Sequence, residues 1–282
     1  MKKFKERLAL AGARAELNMI SLFSKRKTAE RAFDVFCTTF GNRQYSLNKQ
    51  YEEAEHLSFR YDGLLVKGYR WNKGAGKRLL VAHGYSSHAI NFSHFVSAFV
   101  EKGYEVVAFD APGHGYSEGK RINALIYTGF VQELIKHYGR FDVFFGHSFG
   151  GLAIGLTVAE LADNADVKMV LIAPAANTAR LFPIYFDRMH IRNKQVRGYF
   201  DDIIMEMSGR PTEWFSLQRC LPQIKGPVLW IHDEEDDVTP VVDAHEIEQQ
   251  HFPNVRFIFT KGLGHRKIYR SPEVMHAVLD FV

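Results

Sequence analysis

The chain has 282 residues, of which 46% are hydrophobic and 24% are charged, and its formal net charge at neutral pH is +4. These values are typical of one large soluble α/β domain, and the small charge argues against nucleic-acid binding as the main function. Cys37 and Cys220 are the only cysteines and stand in no metal-binding or redox spacing. We therefore expect no disulfide framework and a cytoplasmic protein.

Residues 1–50 are predicted to form a helical extension ahead of the main domain, which we place at residues 51–282. The first residues superficially resemble a signal peptide, but Arg14 and Glu16 interrupt the apolar stretch after only six residues. The pattern is typical of an amphipathic helix, and apolar residues up to Phe40 continue the helical spacing. Two interpretations stay open: docking on the domain or a partner, and weak contact with an anionic membrane surface.

The main domain is predicted to begin with a β-hairpin. Strand-like runs at residues 56–61 and 64–71 flank Asp62 and Gly63, a pair that favours a type I′ turn. From residue 78 onward, strand and helix patterns alternate, which predicts a mainly parallel sheet covered on both faces. Further strands are expected at residues 79–82, 105–109, 141–145, 168–173, 227–231 and 255–259. Helices are expected at about residues 91–102, 123–138, 149–162, 241–251 and 272–281, the last with Ser271 as its N-cap.

The interval from about residue 176 to 222 breaks this alternation, because about fifty residues replace a single crossover helix. Its apolar spacing is mainly helical, and an insertion here would lie over the carboxyl ends of the strands. Lids at this place shape substrate pockets. We predict a small helical lid with an aromatic pocket for an apolar acyl or aryl group, its lining including Phe182, Tyr185, Phe186 and Trp214.

The segment Gly146-His147-Ser148-Phe149-Gly150 joins a strand-like run to a helix-like run that is apolar on nearly every face. Such a tight turn strains its central residue, and the flanking glycines relieve the crowding. The Ser148 hydroxyl would project above the sheet edge, with a helix N-terminus beneath it that favours negative charge. Ser148 is therefore the candidate nucleophile.

An acyl-transfer site also needs a base, an acid that orients the base, and donors for the developing oxyanion. His265 is the candidate base, because the glycines before it permit a close turn after the last strand. The acid should follow the preceding strand, where residues 233–237 offer five carboxylates. The residues alone leave that choice open.

Together with His83-Gly84 and the loop Asp110–Ser117, these motifs resemble the α/β-hydrolase superfamily over residues 56–282. The resemblance implies an α/β-hydrolase fold with a mostly parallel eight-stranded sheet, helices on both faces and a small helical lid. In that superfamily the acid loop commonly reads G-x-x-D-x-x-x-P. This register ends at Pro240 and selects Asp236, with Asp237 second, although Asp233 stands where the superfamily has Gly.

The resemblance also assigns the oxyanion donors to the backbone N–H groups of Tyr85 and Phe149, with the Tyr85 ring in the acyl pocket. It gives the Asp110–Ser117 loop a structural role. We expect the carboxylates of residues 233–237 other than the catalytic acid to be solvated or to cap helices. Their crowding should raise the pKa of some of them.

We therefore predict a serine hydrolase that cleaves a carboxylic ester or thioester through an acyl-enzyme on Ser148. Two alternatives stay open. One is a non-catalytic α/β-hydrolase-fold protein that binds a ligand or partner, and the other is a cofactor-free peroxidase or carbon–carbon bond hydrolase of the same fold.

We expect no metal and no cofactor. His83, His88 and His94 have no carboxylate among them, and Gln249 stands where a zinc motif beginning at His245 needs its second histidine. The expected partner is a small-molecule acyl ester or thioester. Oligomeric state is not predicted.

Overall fold

The computed structural model describes residues 2–39 and 45–282, with side chains from residue 10 onward. Phe40 of the predicted helical spacing lies outside the described residues. The chain separates into two compact units, one formed by Met1–Thr38 with Asn177–Phe215 and the other by Thr39–Ala176 with Ser216–Val282. We call them the smaller and the larger unit. The boundaries drawn from the sequence at residues 50 and 51 stay a prediction.

The larger unit contains an eight-stranded sheet with the order β1-β2-β4-β3-β5-β6-β7-β8. Strand β2 pairs antiparallel with β1 and β4, and all other neighbours are parallel. The predicted mostly parallel sheet is confirmed. The strands are β1 (Glu55–Tyr61), β2 (Leu64–Trp71), β3 (Lys77–Ala82), β4 (Tyr104–Phe109), β5 (Val143–His147), β6 (Lys168–Ile172), β7 (Val228–Asp233) and β8 (Val255–Thr260).

The hairpin that opens the sheet has the predicted turn chemistry. Asp62 and Gly63 have φ values of 48° and 77°, and a type I′ turn needs positive φ at both central positions. The turn sets the register in which Tyr61 faces Leu64. The hairpin therefore supplies the antiparallel edge of an otherwise parallel sheet.

The helices, in chain order, are α1 (Lys2–Ser21), α2 (Lys25–Cys37), α3 (Lys49–Glu52), α4 (Ser93–Glu101), α5 (Ala124–Tyr138), α6 (Phe149–Val158), α7 (Thr178–Arg188), α8 (Lys194–Ser208), α9 (Leu217–Cys220), α10 (Val242–Glu248), α11 (Gly264–Lys267) and α12 (Pro272–Phe281). Within the part of the chain that the structure describes, no helix combines the length and apolarity that a membrane crossing needs. Ser271 stands at the N-cap of α12 as predicted, but its side chain makes no capping hydrogen bond.

The core of the larger unit explains the apolar strand patterns. Every residue of β4, β5 and β7 is buried, as expected for central strands covered on both faces. Helix α6 is buried along nearly its whole length, and it ends at Val158. The predicted end at residue 162 is therefore wrong. The Asn164 amide donates to the carbonyl of Val158 at 3.0 Å, a helix-end acceptor that a further turn would have used, and to that of Leu161 at 3.3 Å.

The smaller unit combines the N-terminal helices α1 and α2 with α7 and α8 of the insertion. Its centre is an aromatic cluster in which the Phe200 ring lies 5.0 to 5.3 Å from those of Phe33, Phe182 and Phe186. Paired hydrogen bonds join Arg31 to Glu16 and Arg26 to Glu206. The insertion and the N-terminal helices thus share one core, although about 140 residues separate them in the sequence.

Candidate active site

Ser148 lies at the junction of β5 and α6 with φ 55° and ψ −121°. This left-handed backbone is unfavourable for a residue with a side chain, so the surrounding structure must hold it. Both flanking glycines are required by close contacts. A Cβ on Gly150 would stand 2.3 Å from the Ala82 carbonyl oxygen, and one on Gly146 would stand 2.8 Å from the Gly151 Cα. The sequence therefore folds into the predicted tight turn at this place.

His265 reaches Ser148 from the loop after β8. Its Nε2 lies 3.0 Å from the Ser148 Oγ, and its Nδ1 lies 2.8 Å from the Asp236 Oδ2. The imidazole is 7% exposed and Ser148 is 6% exposed, so both groups are largely shielded from water. The structure brings together the three side chains selected from the sequence. A proton can pass from the hydroxyl to the imidazole along this row.

Asp236 is held by the turn that follows β7. Its Oδ1 accepts hydrogen bonds from the backbone N–H groups of Val238 and Thr239, and its Oδ2 accepts from the Thr239 hydroxyl at 2.9 Å. Burial alone would raise the pKa of Asp236, but hydrogen bonds from His232 and His265 lower it well below its usual range. The neighbouring Asp237 is exposed.

Asp233 is not solvated, but its carboxylate does meet the start of a helix, because Gly264 is the first residue of α11. It is fully buried and accepts hydrogen bonds from the Thr260 hydroxyl at 2.7 Å and from the N–H groups of Leu263 and Gly264 at 3.0 and 2.9 Å. Burial would raise the pKa of Asp233, but the hydrogen bond from Thr260 and those from the backbone lower it. The carboxylate that replaces the usual glycine therefore ties the end of β7 to the loop that carries His265.

The predicted oxyanion donors come from two segments of the larger unit. Phe149 is the first residue of α6, so its N–H is one of the helix-start donors that have no intrahelical acceptor. Tyr85 lies in the loop after β3, and its ring centroid is 6.4 Å from that of Phe149. The structure places these two residues side by side. Donation by their N–H groups to an oxyanion stays a prediction.

The loop that carries Tyr85 is held by buried histidines whose role the sequence did not show. The Ser86 N–H donates to Nε2 of His114 at 3.1 Å, and the Ala111 N–H donates to Nε2 of His83 at 2.9 Å. Burial lowers the pKa of His83 far below its usual value and that of His114 to about 4. Both rings are therefore neutral near pH 7 and can accept. The Asp110–Ser117 loop, which contains His114, was the sequence feature that pointed to a structural role here.

The predicted pocket residues other than Tyr85 lie in the smaller unit. Phe182 and Phe186 are buried within its aromatic cluster, and the Tyr185 hydroxyl donates to the Ala32 carbonyl at 2.7 Å. The Trp214 ring packs against Phe215 at 5.1 Å. A role for these side chains in substrate binding stays a prediction.

His147 precedes the candidate nucleophile in the sequence and has a supporting role that the sequence did not predict. Its Nε2 lies 3.0 Å from the backbone carbonyl oxygen of His265. Burial and the nearby His265 lower the pKa of His147 to about 3, so the ring is neutral and its Nε2–H donates to that carbonyl. His147 thus fixes the backbone from which the candidate base projects.

Comparison with known proteins agrees with this geometry. A family model described as serine aminopeptidase S33 matches residues 74–198. A monoacylglycerol lipase from Mycolicibacterium smegmatis is 26% identical over 268 residues, which cover 81% of this chain and 95% of that protein. An esterase structure from Pyrococcus furiosus matches 86% of this chain and 97% of its own, with a TM-score of 0.62 and 21% identity. A membrane phospholipase A matches 100% of this chain and 98% of its own, with a TM-score of 0.61 and 19% identity.

A nucleophilic serine at a strand-to-helix turn, beside a histidine and a buried aspartate, is the arrangement of a serine hydrolase. The fold is that of the α/β-hydrolase superfamily, and the family-model match and the lipase and esterase relatives agree with the resemblance that the motifs predicted. The predicted class of activity, hydrolysis of a carboxylic ester, agrees with the lipase and esterase relatives.

The choice between the two adjacent aspartates can be tested by exchanging each for asparagine. D236N keeps the side-chain shape but removes the charge that orients and stabilises the imidazolium, so kcat on a soluble ester should fall by about 10⁴-fold. D237N changes an exposed side chain and should keep nearly the wild-type kcat. A large loss in D237N with a small one in D236N would contradict the assignment.

The neutral state of His114 predicts a pH dependence of stability. Its pKa is lowered from 6.5 to about 4, so between these values the unfolded chain binds a proton that folded His114 does not. The free energy of unfolding should therefore fall as the pH is lowered through this window. H114Q keeps an acceptor for the Ser86 N–H but does not titrate. Its free energy of unfolding, measured with urea, should therefore fall less steeply as the pH is lowered. The slope against pH should differ from that of the wild type by the uptake of up to about one proton.

The matched control is H276Q, because His276 has 81% of its side chain exposed. Its pH dependence should follow that of the wild type. Parallel curves for H114Q and the wild type would show that His114 is not the neutral acceptor described above.

Proposed function

We propose that this protein hydrolyses carboxylic esters with an apolar acyl group, with monoacylglycerols as the substrate class, through an acyl-enzyme on Ser148. The observation that carries the proposal is the hydrogen-bonded row of Ser148, His265 and Asp236. The substrate class is supported by the monoacylglycerol lipase relative, which this chain matches over 95% of that protein's length.

Acylation begins when Nε2 of His265 accepts the Ser148 proton and the serine oxygen attacks the ester carbonyl carbon. Negative charge develops on the carbonyl oxygen and is stabilised by the N–H groups of Phe149 and Tyr85, aided by the α6 dipole. When the carbon–oxygen bond to the alcohol breaks, His265 returns the proton to the leaving oxygen. Asp236 stays ionised throughout and stabilises the imidazolium that forms in between.

Deacylation repeats these steps with water as the nucleophile. His265 accepts a proton from water, the hydroxide oxygen attacks the acyl carbon, and the bond to the Ser148 oxygen breaks. The serine recovers its proton from the imidazolium, and the carboxylic acid is released. A binding protein would need none of these alignments, so the row favours a catalyst over a non-catalytic member of the superfamily.

The proposal is tested with a fluorophosphonate probe and a panel of monoacylglycerols of increasing chain length, assayed without peroxide. The wild type should be labelled on Ser148 and should release fatty acid. S148A and H265A should lose labelling and at least about 10⁴-fold in kcat. A folded wild type that is neither labelled nor active on any ester or thioester would contradict the proposal. Turnover that is confined to substrates with a scissile carbon–carbon bond, or that depends on peroxide, would instead favour a cofactor-free peroxidase or carbon–carbon bond hydrolase of the same fold.

We also propose that the N-terminal helices make a weak contact with an anionic lipid surface, where such a substrate resides. Leu22 and Phe23, at the turn between α1 and α2, are 79% and 86% exposed, and Met19 is 60% exposed. Lys25 and Lys27 follow directly in the sequence, on either side of Arg26, which pairs with Glu206. Exposed aromatic and aliphatic side chains beside basic residues suit the interface between acyl chains and anionic headgroups.

The lipid contact can be measured by co-sedimentation with phosphatidylcholine vesicles that contain phosphatidylglycerol. L22S/F23S removes the apolar tip, so the bound fraction should fall several-fold while activity on a soluble ester stays at the wild-type value. V242S is the control, because Val242 is a 44% exposed hydrophobic residue of the larger unit. Equal binding by L22S/F23S and the wild type would contradict this contact.

A further inference from the structure

Trp230 and His232 lie two residues apart on β7, so their side chains share one face of the sheet. Both are fully buried. The Trp230 indole Nε1–H lies 3.2 Å from Nδ1 of His232. An indole nitrogen can only donate, so Nδ1 of His232 must accept and carries no proton. The proton of the ring is therefore on Nε2.

The Nε2–H of His232 points to the turn that carries Asp236. It donates to the Thr239 carbonyl at 2.9 Å and lies 3.5 Å from the Asp236 Oδ2. Thr239 in turn donates to Asp236 through both its N–H and its hydroxyl. His232 thus holds the far end of the turn and lies beside the carboxylate at its near end. With the proton on Nδ1, a lone pair would face two oxygen atoms instead.

We infer that Trp230 and His232 are positioning residues for the candidate catalytic acid: Trp230 helps to fix the tautomer of His232, and His232 clamps the Asp236–Thr239 turn behind His265. The inference rests on the proposed function. Neither residue contacts the nucleophile, so both act through Asp236. The clamp matters during acylation, when the carboxylate must keep its place against the newly charged imidazolium.

Three substitutions separate the parts of the clamp. H232L removes the Nε2–H, which should lower kcat by about 10²-fold, the effect of an ångström-scale displacement of a catalytic group, with KM unchanged. H232Q offers an amide N–H near the same place and should recover most of the lost kcat. W230F keeps an aromatic ring but removes the donor to Nδ1, so only the acceptors facing Nε2 still favour the Nε2–H tautomer. Its kcat should therefore fall by less than that of H232L.

Nitrogen NMR of the histidine rings measures the tautomer of His232 directly. A merely structural role for Trp230 would leave that tautomer unchanged when Trp230 is replaced. In the wild type, His232 should be a single tautomer protonated on Nε2, and in W230F the fraction protonated on Nδ1 should rise. W71F is the matched control, because the Trp71 indole also donates one hydrogen bond, to the Gln50 carbonyl at 2.9 Å, on the hairpin edge of the sheet. W71F should leave the His232 tautomer and kcat at their wild-type values.

The clamp is overturned if wild-type His232 carries its proton on Nδ1, or if H232L and W230F, shown to be folded by circular dichroism, keep the wild-type kcat. It is also overturned if H232Q is no better than H232L while W230F leaves the tautomer unchanged. A wild type without esterase activity would sink the proposed function instead. The clamp could then still be tested without activity. The His232 tautomer would be measured as above, and the low-field resonance of the proton between His265 and Asp236 should change in H232L and stay unchanged in W71F.

Discussion

The hydrogen bond between His265 and Ser148 depends on holding two short segments, the strained turn at Ser148 and the start of α11, at a fixed separation. The serine has a positive φ that only close packing sustains, since a Cβ on either flanking glycine would overlap neighbouring atoms. The histidine follows β8, and its backbone is held from two sides, by Asp233 through the N–H groups before it and by His147 through its carbonyl. Few of these contacts involve the reacting atoms, but together they set the distance between the Ser148 oxygen and the His265 nitrogen.

Two carboxylates three residues apart have different tasks because their surroundings differ. Asp233 faces N–H and hydroxyl donors of the β8 end and serves as a structural anchor. Asp236 accepts from two N–H groups of its own turn through Oδ1, and its Oδ2 accepts from the Thr239 hydroxyl and the His265 imidazole. Both stay ionised although they are buried, because each is surrounded by donors rather than by the other acids. The density of negative charge in the sequence was therefore a poor guide to their pKa values.

The sequence was sufficient for most of the fold because strand runs, turn residues and the glycines around Ser148 are local signals. Asp236, by contrast, came from a resemblance, since five neighbouring carboxylates are equivalent by residue type alone. The end of α6 was misplaced because its cap, Asn164, lies beyond the helix and bonds across a loop. The partnership of α1 and α2 with α7 and α8 was not predictable for the same reason: it is decided by packing between segments far apart in the chain.

This discontinuous smaller unit affects the order of events during synthesis. Its first two helices leave the ribosome long before the residues from 177 onward that complete their core, and most of the sheet is made in between. Contacts of such large sequence separation form late and slowly, because the intervening chain must first be confined. Until those residues are made, α1 and α2 can pack only on each other, and Phe33 lacks the rings of the insertion that surround it in the finished core. The smaller unit is therefore completed only after most of the sheet has been synthesised.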